Sequence, residues 1–194
     1  MVSFGQSPEE ELQKYKEAYP DEDRVITHTE RQLIIEQEEG EWTITENNLE
    51  EVFILTDQGA YAREMGIQYS TFHPLVEIEA YTLTPSKRKY KREDVEDFTE
   101  KDVLEGPNFY DDVKERRFAY PSLTEGAKRV LRNVHTVEDP LFLPGFYLIE
   151  YAPVEKAVFE IVTDDHIEIG FKTYHMDDVD LTFTKEEKRG QYRS

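Results

Sequence analysis

Val76-Glu77-Ile78-Glu79-Ala80 alternates apolar and acidic side chains residue by residue. A period of two puts successive side chains on opposite sides of an extended chain. The stretch therefore reads as a β-strand with Val76, Ile78 and Ala80 facing inward and two carboxylates in water. Similar signatures flank it. Residues 25–35 are rich in β-branched side chains, and Trp42-Thr43-Ile44-Thr45 alternates again. Val52-Phe53-Ile54-Leu55-Thr56 is an apolar run short enough for a buried strand. Further along, Phe159, Ile161 and Thr163 precede Asp164-Asp165, and Ile167, Ile169 and Phe171 follow it. That pattern predicts a hairpin turning on the two acidic residues. Val179, Leu181 and Phe183 predict one more strand. With roughly eight to ten strands at this spacing, the expected fold is all-β, an antiparallel β-sandwich.

Punctuation between the strands sets the expected boundaries. Ser7-Pro8-Glu9-Glu10 has the form of a helix start: a capping hydroxyl, proline in the first turn and a glutamate that completes a capping box. Leu12, Tyr15 and Tyr19 then share one side of a short helix. Residues 36–41 form an acidic turn around Gly40, Asp57-Gln58-Gly59 a tight turn, and Thr84-Pro85-Ser86 the end of a strand. Residues 87–112 are charged and poorly periodic and are expected to be a loop. The domain plan is a segment 1–18 with a short helix, a single β-sandwich domain 19–184 and a charged tail 185–194.

Composition narrows the function classes. Lys and Arg number 23 against 43 Asp and Glu, a net charge of -20, so the chain as a whole repels nucleic acid and anionic membrane surfaces. Aromatic residues make up 12%, which marks a folded domain rather than a disordered acidic chain. There is no Cys, hence no disulfide, thiolate metal site or Cys nucleophile within these residues. No apolar run approaches the ~20 residues that span a bilayer, so membrane insertion is not expected. Met1-Val2-Ser3-Phe4-Gly5-Gln6 fits either the tail of a signal peptide, which would place the protein outside the cytoplasm, or an ordinary frayed N-terminus.

The chemistry-bearing residues form no catalytic signature. His28, His73, His135, His166 and His175 lack the compact spacing of a metal site, and no cofactor is expected. His73, before Pro74, is expected in a turn. Asp177-Asp178-Val179-Asp180 lacks the regular acidic spacing and turn glycine of a calcium loop, although a loose surface calcium site would leave no motif. There is no nucleophile elbow, phosphate-cradling loop or dinucleotide fingerprint. Lys87-Arg88-Lys89-Tyr90-Lys91-Arg92 is followed directly by Glu93 and Asp94 and reads as a solvated loop or edge strand. The chain is expected not to be an enzyme by itself.

Several stretches resemble a known family in order and spacing. They are Tyr19-Pro20-Asp21, Val52-Phe53-Ile54-Leu55-Thr56-Asp57-Gln58-Gly59-Ala60, Val76 through Pro85, Phe118-Ala119-Tyr120-Pro121-Ser122-Leu123-Thr124-Glu125-Gly126, and Pro153-Val154-Glu155-Lys156-Ala157-Val158-Phe159. Together they resemble domain of unknown function 3857. Pro85-Ser86-Lys87-Arg88 departs from the Asp-Gly-Lys turn usual at that point. The resemblance implies a β-sandwich from an exported bacterial protein, often of Bacteroidetes type, periplasmic or on the cell surface. It also implies a transglutaminase-like domain downstream, and it supplies no catalytic residues.

Two functions from different classes follow as expectations. One is a non-catalytic accessory module that positions the downstream domain or binds a protein or peptide partner. The other is a carbohydrate-binding module, for which Trp42, Tyr61, Tyr69, Phe109 and Tyr110 are the available aromatics. For the first, Leu141-Phe142-Leu143-Pro144-Gly145-Phe146-Tyr147 is the candidate interface. Pro144 and Gly145 interrupt it too much for a regular strand, yet Leu141, Phe142, Leu143, Phe146 and Tyr147 are all large and apolar or aromatic. Plugging one end of the sandwich and docking a partner both remain open for this segment.

Overall fold

The computed structural model describes residues 7–103, 112–143, 145–147, 152–174 and 182–185. The chain divides into two compact units, Met1–Asp164 and Asp165–Ser194.

The first unit opens with α1 (Pro8–Ala18), capped as its sequence requires: Glu10 N–H donates to Ser7 Oγ, and Ser7 N–H donates back to the Glu10 carboxylate. Next come β1 (Arg24–Glu38) and β2 (Glu41–Ile54), joined through Glu39 and Gly40, both with positive φ, in the tight form that suits strand twist. The short α2 (Asp57–Ala60), capped by Thr56, takes the place of the expected tight turn. Gly59 is required there, because a Cβ would lie 2.3 Å from the Asp23 carbonyl oxygen. The remaining strands are β3 (Glu64–Tyr69), β4 (Leu75–Ser86), β5 (Lys89–Asp94), β6 (Phe98–Asp102), β7 (Lys114–Ala119), β8 (Lys128–Thr136) and β9 (Ala157–Thr163).

Two sheets result. A six-stranded sheet runs β5-β4-β8-β2-β1-β9 and a three-stranded sheet runs β3-β7-β6. The run 52–55 shows how they are held. Val52 and Ile54 point into a core shared with Ile26, Leu131 and Ala80, against which Phe118, Ile67 and Phe98 of the small sheet pack. Phe53 and Leu55 point to the other face, where Tyr15 and Leu12 of α1 cover them. The strand is apolar on both sides because both faces are covered, by a sheet on one and a helix on the other. Polar groups fix α1 in place. Tyr15 Oη donates to Glu155 at 2.5 Å, and Glu11 accepts from Tyr90 Oη at 2.9 Å and from Lys128 Nζ at 2.8 Å.

The architecture is the expected all-β sandwich-like pair of sheets with a short N-terminal helix, and it differs in detail. Residues 87–112 are not simply a loop. Lys87, with φ 52°, and Arg88 turn the chain into β5, an edge strand, and β6 follows. Within the basic cluster, Arg92 pairs with Glu79 at 2.7 Å and Asp94 at 2.6 Å, and Lys91 with Glu93 at 3.4 Å. Val76 faces outward and is 57% exposed. A bulge pairs Leu75 with His135 and Glu77 with Val134, leaving Val76 without a partner and shifting its parity. Ile78 packs against the core and Ala80 is within it, as the alternation requires.

The late hairpin does not form. Asp165 and His166 make a turn, but residues 167–174 carry no strand. β9 pairs in parallel with β1, Thr29 opposite Ala157 through Ile35 opposite Thr163, so the large sheet is mixed. The free edge of β1 supplied a ladder of seven paired positions, whereas alternation alone cannot tell a local partner from a distant one. In the second unit, the Phe171 and Phe183 rings stack with centroids 5.4 Å apart. Residues 175–181, which include His175, most of the last expected strand and the Asp177–Asp180 run, lie outside the described residues.

Candidate functional site

A row of polar residues crosses the large sheet on the face that carries the inter-sheet core. Arg31 of β1 sits opposite Asn48 of β2, and Asn48 opposite Asn133 of β8; in the next row Glu46 sits opposite His135. All occupy positions that alternation assigns to the inward side, in line with Leu33, Ile35, Ile44 and Leu131.

Glu46 is 1% exposed, and both its oxygens are satisfied. Oε1 accepts from Arg31 Nε at 2.9 Å and Asn48 Nδ2 at 3.0 Å, and Oε2 accepts from His73 Nε2 at 2.9 Å. His73 arrives from the turn between β3 and β4, where Ser70 and His73 exchange backbone hydrogen bonds. It stacks on His135 with ring centroids 4.2 Å apart. Burial by itself would raise the Glu46 pKa; the hydrogen bond from His73, the Arg31 charge and Asn48 outweigh it and hold the carboxyl below its ordinary range. Burial, followed by repulsion from His73, depresses His135, which the nearby Glu46 charge only partly offsets.

Both shifts make the site acid-labile. A base with a depressed folded pKa loses stability once the unfolded state begins to take up its proton, here below about 6.5. A carboxylate with a depressed folded pKa keeps its contribution above about 4.5 and loses it below. The expected result is a melting temperature that declines from pH 7 to pH 5.5, with a smaller decline in His135→Asn, and falls more steeply below pH 4.5. Identical wild-type and variant profiles between pH 7 and 5.5 would exclude the histidine component.

The network extends to the candidate interface. Arg31 Nη1 donates to the Gly145 carbonyl at 2.7 Å, and the guanidinium lies over the Phe146 ring, 5.9 Å from its centroid. Phe146 in turn stacks on Phe159 of β9, with centroids 5.0 Å apart and planes 7° apart. A 3-10 turn over Pro140–Phe142, capped by Asp139, leads into this segment. Leu141 is 88% exposed and Tyr147 78%, and Leu143 is also exposed. The Phe142 side chain and Pro144 lie outside the described residues. The segment is thus latched through Gly145 and Phe146 and presents Leu141, Leu143 and Tyr147 outward. Beside it is a cleft of about 310 Å3 lined by Asn133, His135, Gln68, Met65, Phe146 and Tyr147, among others.

The sequence flagged the 141–147 segment and the turn at His73, but not Arg31, Glu46, Asn48 or Asn133. Their available signal was parity, since polar residues at inward positions of otherwise apolar strands require partners. Of the aromatics considered for sugar binding, Trp42 lies near the start of β2, Tyr61 follows α2, and Tyr69 ends β3 with its hydroxyl donated to Glu100. Phe109 and Tyr110 lie outside the described residues. Among the described residues no group of three or more His, Cys, Asp or Glu is placed to hold a metal ion. No described helix is long and apolar enough to cross a membrane.

Comparison with known proteins bears on this architecture. The family model described as "Domain of Unknown Function with solved-structure structure (DUF3857)" matches residues 40–194. A protein from Parabacteroides distasonis, described as a candidate protease, superposes with a TM-score of 0.55 at 19% identity, over 72% of this chain and 29% of that one. At that identity the likeness concerns the fold alone, and this chain spans less than a third of that protein. An M1 zinc metallopeptidase from Deinococcus radiodurans aligns over 61% of this chain and 21% of its own at 11% identity, with a TM-score of 0.31, too low to bear on the fold. Among curated proteins none matches the sequence.

Proposed function

Since the chain belongs to the DUF3857 family, we propose that it is a non-catalytic accessory domain of an exported, transglutaminase-like protein. It works in the periplasm or at the cell surface. Its task is to position a neighbouring domain, or to take a protein or peptide partner, through the segment 141–147. The observation that carries this reading is the combination of exposure and fixation. Leu141, 88% exposed, stands on a segment pinned by the Arg31–Gly145 hydrogen bond and the Phe146–Phe159 stack. Exposed apolar side chains on a fixed scaffold lose little entropy on binding, which is what a docking surface needs. The non-catalytic part of the reading is supported by chemistry: the only deeply buried carboxylate of the described cleft, Glu46, has both oxygens occupied by its own neighbours.

Leu141→Ser with Leu143→Ser tests the docking reading. The melting temperature of the domain should change little, because both side chains already face water. Association with the adjoining region of the same protein, supplied in trans, should weaken by ten-fold or more. Strong destabilisation with unchanged association would show instead that the segment is part of the core.

A further inference from the structure

The charged groups that line the cleft all have protein neighbours: Glu50 accepts from Arg129 at 3.1 Å, Glu30 lies 3.3 Å from His28 Nε2, and Arg31 and Glu46 close on each other. Glu46 has both oxygens occupied, and Arg31 is committed to Glu46, Asn48 and Gly145. The groups still open are of another kind. His135 is 3% exposed and its Nδ1 lies 3.5 Å from the His73 carbonyl; among the described residues its Nε2 has no hydrogen-bond partner. Asn133 accepts from Asn48 through Oδ1, and its amide nitrogen has no partner among the described residues. Gln68, exposed on β3, brings a second amide. Each is an uncharged group, and an amide offers both donor and acceptor. Tyr147 adds an exposed ring at the same cleft, and Met65 and Leu131 an apolar wall.

We propose that this cleft binds one unit of a neutral saccharide, with Asn133, His135 and Gln68 reading its hydroxyl groups and the Tyr147 ring covering one C–H face of the sugar. An ion is a poor match, because Arg31, Glu46 and Glu50 are already engaged by protein groups, and a buried charge without a partner is costly. A large apolar ligand would strand the open nitrogens of His135 and Asn133 away from water. A hydroxyl-rich ring satisfies both constraints: its edge hydrogen-bonds in any direction, and its faces are apolar enough to lie on an aromatic ring. The cleft volume of about 310 Å3 sits at the small end of ligand sites, which limits the occupant to a single sugar unit of a chain. This ligand goes beyond the docking reading, which shares Tyr147 with it but is tested through Leu141 and Leu143 and requires no small molecule. It also differs from a sugar platform built on Trp42 and Tyr61, which lie on separate elements.

Calorimetric titration of the 194-residue protein tests the proposal, with N-acetylglucosamine, its β1,4-linked dimer and cellobiose as probes and triglycine as the peptide control. At least one saccharide should bind, and triglycine should not. Tyr147→Ser and Gln68→Ala, both at exposed positions, should each weaken that binding by ten-fold or more with an unchanged melting temperature. Leu141→Ser should leave it intact, so a failed docking reading and a failed saccharide reading give different results. No saccharide binding at roughly 10 mM probe, where even a millimolar site would be mostly filled, overturns the proposal. So does triglycine binding in place of the sugars, or saccharide binding that ignores both Tyr147 and Gln68.

Discussion

Replacing Phe53 with Ala is expected to cost about 3–5 kcal/mol, the range for removing a fully buried aromatic ring from a packed core. The side chain has no exposed surface, and its ring lies 4.9 Å from that of Tyr15 and 5.7 Å from Lys128 Nζ. It is the point at which β2 meets α1, so the cavity would open under the helix as well as beside Val25 and Leu55. Against a typical total stability of about 5–15 kcal/mol the loss is large. Urea titration reads it as a lower midpoint with an unchanged slope. A loss under about 1 kcal/mol would mean that α1 is not seated on the sheet as described.

Glu46→Ala carries the second large expectation, about 3 kcal/mol. Removing one member of a buried ion pair leaves the others without their partner, which costs about 3–5 kcal/mol for fully buried pairs. Here the lower end applies, because the Arg31 side chain is 26% exposed and can recruit water. Arg31, Asn48 and His73 would all lose an acceptor at once. Glu46→Gln keeps the shape and one acceptor and should fall between wild type and Glu46→Ala. Because Arg31 also holds Gly145, Glu46→Ala should speed amide hydrogen exchange in residues 145–147 relative to β2. Equal stability of wild type and Glu46→Ala would contradict the network.

Much of this fold was legible because its strands obey the period of two, and the exceptions have physical causes. Val52 through Leu55 reads as a buried strand, since an element covered on both faces has no polar side to show. Ser7-Pro8-Glu9-Glu10 announces α1 because a capping box is a local interaction. Val76 misled because a bulge adds one residue and reverses parity, and nothing in the local pattern marks it. The 164–165 turn misled for a different reason: two adjacent acidic residues favour a turn but do not choose which strand edge is paired next. Lys87 through Arg92 read as loop or edge strand alike, because an edge strand facing water on much of its surface has a loop's composition; the register with β4 makes Lys89–Asp94 the edge strand β5. At the candidate site, the exposed apolar segment stood out on its own, whereas the Glu46 network is built from four elements. His73 and His135 stand 62 positions apart and meet only through the register of β4 and β8.

The measurement that bears most directly on the account is the affinity of the domain for the proposed neighbouring domain, taken on the wild type and on Leu141→Ser with Leu143→Ser, with both melting temperatures recorded. The account predicts melting temperatures within a few degrees of each other, since exposed substitutions usually shift stability by about 0.5 kcal/mol or less, and an affinity at least ten-fold weaker in the variant. Equal affinities, or a variant that loses association only because it unfolds, would contradict it.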